Sequence, residues 1–124
     1  MTSLVRTFLA LEAALFAGAA LIHAGVLAHG YEHARAETAE GVIALVLAGG
    51  LAAALVAPGS SRGVGLAVQG FALLGTLVGL FTIAIGIGPR TALDLILHMT
   101  MILLLLTGLW FVGRRRITGN LPVS

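Results

Sequence analysis

Four histidines and a handful of carboxylates are the groups in this chain best suited to chemistry. His23, His29 and His33 follow one another closely, with Glu32, Glu37 and Glu40 beside them; Asp94 and His98 form a separate pair near the far end. Asp94 precedes His98 by four residues, so both point to one face of a helix, and Met101 continues that face. His29 and His33 have the same spacing if helix continues there, and Glu37 extends the row by a turn. Imidazole nitrogen with carboxylate oxygen suits Zn, Fe, Mn, Ni or Cu(II). The expected metal ligands are His23 and His98, assisted by His29, His33 and Asp94. Asp94 could instead stand behind His98 and orient its ring. A haem b is the second option, with His23 and His98 as axial ligands and Gly25 and Gly79 making room for the macrocycle. A proton route is the third, because histidine titrates near neutral pH and carboxylates relay protons. Plain structural roles compete with each. His29 and His33 could be solvated at an interface, and Glu32, Glu37 and Glu40 could form a solvated link. Glu40 and Asp94 could simply favour the starts of their helices through the helix dipole.

A second polar pair lies apart from these groups. Glu12 and Gln69 fall inside two apolar stretches and could hydrogen-bond across a bundle. Glu12 and His23 are about three helical turns apart on one face, with Phe16 and Ala19 between them. They could be the two ends of a pathway, although Phe16 would block a simple wet pore.

The elements that must position these groups are membrane spans. The chain has 124 residues, 59% hydrophobic and 10% charged, with a mean hydropathy of +1.09. Soluble domains carry about 25% charged residues. Four apolar stretches reach the roughly 20 residues needed to cross a bilayer: about Leu4–Ala28, Gly41–Ala57, Val64–Ile87 and Ala92–Val112. They predict an all-α, antiparallel four-helix bundle in a single membrane domain, residues 1–124. Its N-terminal run is longer than a signal-peptide core and is interrupted by Glu12, so it is read as a span. His23 is then placed about six residues inside span one and His98 about seven inside span four, a matched depth of about 10 Å.

Arginines set the orientation. Arg6, Arg62 and Arg114–Arg116 fall on one side, and Arg35 and Arg90 on the other. The five-to-two bias puts both termini in the cytoplasm. Trp110 suits the inner interface and Tyr31 the outer one. Pro58-Gly59-Ser60-Ser61 and Gly86-Ile87-Gly88-Pro89 read as turns. Small residues let helices approach closely in lipid, and Gly75-x-x-x-Gly79 could serve that packing or a dimer face. The absence of cysteine excludes disulfides, thiolate metal sites and iron–sulfur clusters. A net charge of +2 without a basic face excludes nucleic acid as a partner.

Two stretches, Ile22-His23-Ala24-Gly25-Val26-Leu27-Ala28-His29-Gly30-Tyr31-Glu32-His33 and Gly88-Pro89-Arg90-Thr91-Ala92-Leu93-Asp94-Leu95-Ile96-Leu97-His98, resemble small four-span bacterial integral membrane proteins of unassigned function. The resemblance implies the four-span fold and a bacterial cytoplasmic membrane, and no chemistry. Glu12 is similar to the carboxylate of small multidrug exporters, but its surroundings differ.

The leading expectation is thus a small membrane protein that binds a transition metal (Zn, Cu or Fe) or haem b, in metal handling or electron transfer. The alternatives are an accessory subunit of a larger membrane complex and a proton-coupled small transporter working as a homodimer. An enzyme is not indicated, because no nucleophile–base constellation or phosphate-binding loop is present.

Overall fold

The computed structural model describes residues 1–114; Arg115 and Arg116 of the basic cluster lie outside them. Four helices make up the bundle: α1 Thr2–His23, α2 Ala34–Val56, α3 Ser61–Ala84 and α4 Ala92–Gly113, with a short 3-10 turn at Pro58–Ser60 before α3. Each is long and apolar enough to cross a membrane.

The helix ends depart from expectation where glycine intervenes. Span one does not run to Ala28. α1 stops at His23 because Gly25 adopts a positive φ of 74°, open to glycine at little cost. The turn is a Schellman motif: Val26 N–H donates to Leu21 O and Gly25 N–H to Ile22 O. Gly86, with φ 84°, closes α3 by the same pair of bonds, Ile87 N–H to Thr82 O and Gly86 N–H to Ile83 O. α2 starts at Ala34, seven positions before the expected Gly41, so Glu37 and Glu40 belong to it. His33 caps it, its Nδ1 accepting from Ala36 N–H at 3.2 Å. Thr91 and Asp94 form a reciprocal capping box at the start of α4.

The interior is an apolar stripe from each helix. Val5, Leu9, Phe16 and Ala19 of α1 meet Leu47 of α2, Ala72 of α3, and Met101 and Leu105 of α4. Lipid offers little hydrophobic drive between helices, so close packing must hold them. Glycine permits it. A Cβ on Gly65 would come within 2.7 Å of Val5, and one on Gly75 within 2.8 Å of Ile43. Gly79 packs against His98 in the same way. The Gly75/Gly79 pair therefore serves contacts inside this chain. Leu45, Val56, Ile96 and Leu103 face outward, each more than half exposed, as lipid-facing residues do.

Three arginines close helix C-termini, where carbonyls lack partners. Arg6 bonds Ala54 O, Arg62 bonds Val112 O and Gly113 O, and Arg90 bonds Ile83 O and Ala84 O. The charges that bias topology thus also tie the helices together.

Candidate functional site

The end of α1 delivers His23 into the bundle, where it is 1% exposed. Its Nδ1 lies 2.6 Å from Glu40 Oε2 and its Nε2 lies 2.8 Å from Asp94 Oδ1. The partner of His23 on α4 is thus Asp94 and not His98 at matched depth. The correction follows from Gly25. Ending α1 at His23 places that residue at the helix terminus, level with the first turn of α4 and the second of α2.

Glu40 is 5% exposed, which removes it from a solvated link. Burying a carboxylate in an apolar bundle is costly unless it is paired, and His23 supplies the pair. Asp94 combines two roles. Its Oδ2 accepts from Thr91 N–H at 2.8 Å and from the Thr91 hydroxyl at 2.6 Å, while Oδ1 holds His23. His98 sits one turn further in and donates from Nδ1 to Asp94 O at 2.8 Å. As a neutral ring it then keeps a lone pair on Nε2. His33 is the opposite tautomer, because its Nδ1 accepts the Ala36 N–H and leaves the proton on Nε2. The His33 ring stands edge-on to His23, with centroids 6.5 Å apart.

His29 does not join this group. Gly25 and Gly30 break the helix on which His29, His33 and Glu37 were to share a face. The His29 side chain is 91% exposed and lies 3.6 Å from Glu32. Glu37 is exposed in the first turn of α2, where an acidic group favours the helix dipole. Glu32 covers Gly25, so that glycine leaves no space for a macrocycle. Gly79 is filled by His98, whose Nε2 would lie 2.8 Å from a Cβ there.

A metal or haem iron needs a free ring nitrogen, and both nitrogens of His23 are held by carboxylates. Among the described residues no group of three or more His, Asp and Glu side chains is arranged to hold a metal ion.

The hydrogen bonds fix how many protons the Glu40–His23–Asp94 cluster carries. Two short bonds need two protons between three groups, either on the ring as imidazolium or divided between ring and one carboxyl. Both arrangements leave a net charge of −1. Asp94 Oδ2 already accepts two hydrogen bonds. Glu40 Oε1 is buried and has no partner among the described residues. It is the open position for a third proton, which would make the cluster neutral.

Glu40 also lines a cavity of about 250 Å³ between α2, α3 and α4. Polar groups on its wall include His33, Thr76, His98 and Arg35; Phe16, Ile43 and Met101 supply apolar surface. Thr76 spends its hydroxyl on Ala72 O.

Glu12 and Gln69 lie near one another in the core. Both are fully buried on facing helices, and both approach Gly108, where a Cβ would lie 2.6 Å from Glu12 Oε1 and 2.8 Å from Gln69 Nε2. Neither reaches hydrogen-bond geometry, and all four of their polar atoms are unpartnered among the described residues. Glu12 and His23 share the buried face of α1, with Phe16 and Ala19 packed between them.

Three features escaped the sequence reading. The pairing of Glu40 with His23 depends on α2 beginning at Ala34, which hydropathy does not signal. The Thr91-x-x-Asp94 capping box carries a recognisable signature that went unused. The cavity depends on four segments and has no local signal. Comparison with protein-family profiles, with curated proteins and with solved structures finds no match to this chain.

Proposed function

We propose that this protein is a proton-coupled small transporter of the bacterial cytoplasmic membrane, with four antiparallel spans and both termini cytoplasmic. The observation that carries this reading is that Glu40 lines a cavity and its buried Oε1 has no partner among the described residues. A carboxylate–imidazole–carboxylate cluster gains or loses its third proton there and switches between net 0 and net −1. Ionisable groups at membrane depth commonly mark proton or ion pathways. On this reading the cavity face of Glu40 is where cargo and proton meet. Glu12 is a further carboxyl, on the face of α1 that carries His23 and toward the opposite end. The engagement of both His23 nitrogens favours proton handling over a transition metal or haem centre.

The test is difference infrared spectroscopy of the reconstituted protein across pH. The expected result is a carboxyl C=O band that titrates, disappears in Glu40→Gln and survives in Glu37→Gln. A spectrum with no Glu40-dependent titration would make the cluster a static clamp between α1, α2 and α4. That outcome would favour an accessory subunit held in a larger membrane complex.

A further inference from the structure

The cavity beside Glu40 is bounded by groups of one polarity at its buried end. Glu40 Oε1 is an acceptor without a donor. His98 lines the same space, and its Nδ1 bond to Asp94 O leaves Nε2 as an acceptor too. The cluster behind Glu40 carries −1 when the third proton is absent. An uncompensated charge in a low-dielectric interior is costly, so a cation in the cavity would be favoured there. His33 and Arg35 also line the cavity. His33 accepts the Ala36 N–H on Nδ1, and Arg35 is exposed and forms no ion pair among the described residues. Solvent screens the charge of Arg35 more than that of Glu40.

The remaining wall sets the body of the ligand. Phe16, Ile43, Val78 and Met101 are apolar, and Gly75 and Gly79 let Ile43 and His98 pack closely along it. A volume of about 250 Å³ exceeds the ~150 Å³ of an apolar protein cavity that accepts benzene. The cavity shares Arg35, Ala39, Ile43, Gly75 and Val78 with a largely apolar groove between α2 and α3, flanked by exposed Val42, Phe71 and Leu74. An amphiphile dissolved in the bilayer could enter along that groove. A metal ion would need several converging ligands, which are absent among the described residues. An ammonium head needs only acceptors, and it has up to three N–H donors to offer them.

We infer that this cavity binds a lipophilic monovalent amine as its ammonium ion, the head at the end walled by Glu40 and His98 and a body about one ring in size on the apolar wall. The inference deepens the transporter reading by naming its cargo class and rests on it for the consequence of binding. Cation and proton would then compete for one carboxylate oxygen.

The experiment is isothermal titration calorimetry of the full chain in nanodiscs, with empty nanodiscs as the baseline. The probes are 2-phenylethylamine, cationic at neutral pH, and 2-phenylethanol, which matches it in size. The expected result is saturable one-to-one binding of the amine, at least tenfold tighter than the alcohol and weakening on acidification. Ala39→Phe adds a ring at an exposed position of α2 that lines the cavity and leaves Glu40 and His98 in place. It should reduce amine affinity at least tenfold while helix content and melting temperature are kept. Equal affinities for the two probes, no saturable binding, or binding indifferent to Ala39→Phe would overturn the ammonium site. Saturable amine binding that ignores pH would leave the site standing and remove the proton coupling. A titrating Glu40 band without amine binding would do the reverse.

Discussion

His23 is the residue on which the polar end depends. It is the group that separates two buried carboxylates, Glu40 and Asp94, and it bonds to both. Replacing it by alanine leaves two acidic groups together in an apolar setting without their shared partner. Breaking a buried ion pair in this way costs about 3–5 kcal/mol. His23→Ala should therefore lower the melting temperature strongly in detergent, and adding Glu40→Gln with Asp94→Asn should restore much of the loss. An unchanged melting temperature in the single variant would mean that the cluster does not hold the helices. His98 and His33 are different cases. Each has one ring nitrogen committed to backbone, which sets its tautomer locally, and its second nitrogen has no hydrogen bond among the described residues.

The loop between α1 and α2 is a built element rather than a spacer. Two positive-φ glycines shape it, and His33 N–H closes it by bonding His23 O at 3.0 Å. Glu32 holds its turn. Its own backbone N–H and that of Gly30, at 2.7 Å from Oε2, keep this exposed carboxyl below the usual carboxylate range, with His29 adding a smaller effect. A depressed folded-state value stabilises the loop above the ordinary carboxylate pKa of about 4.3. That contribution fades as pH falls through the lower folded value. The protection of the Gly30 amide against hydrogen exchange should drop in that acid window, and Glu32→Gln should remove the dependence. Constant protection across the window would show that Glu32 does not hold the turn. The same element explains an uneven legibility. Gly86 was read as a stop because Gly88-Pro89 follow it. Gly25 sits before another apolar run, Val26-Leu27-Ala28, so hydropathy masked an identical helix end.

The whole bundle is tied at its other end by Arg6 on Ala54 O and Arg62 on Val112 O and Gly113 O. Arg114 lies over the rings of Trp110 and Phe111, about 5 Å from each centroid. In the orientation proposed above, Arg6 and Arg62 satisfy helix carbonyls and the charge bias at once. The chain has no cysteine, so single replacements report topology without background. His29→Cys should be labelled by a membrane-impermeant maleimide in intact cells, and Ser60→Cys only after the membrane is opened. The opposite pattern would invert the proposed orientation and put the Glu40 cavity on the cytoplasmic side.

Composition and hydropathy period alone determined that this chain forms four helices long and apolar enough to cross a membrane, since any segment placed in lipid must satisfy its backbone internally. Residue spacing also determined that Asp94 and His98 share a face, that Glu12 and His23 share another, and that Glu12 could face Gln69. These are properties of one helix, or of two helices matched by depth. Only the tertiary structure decided that His23 meets Asp94 and Glu40, because that contact depends on where α1 ends and α2 begins, and a few residues of error move a side chain by a full turn. It alone also left one oxygen of Glu40, a residue that lines the cavity, without a partner among the described residues. An unsatisfied atom is defined by everything around it, and residues from four separate segments create that surrounding.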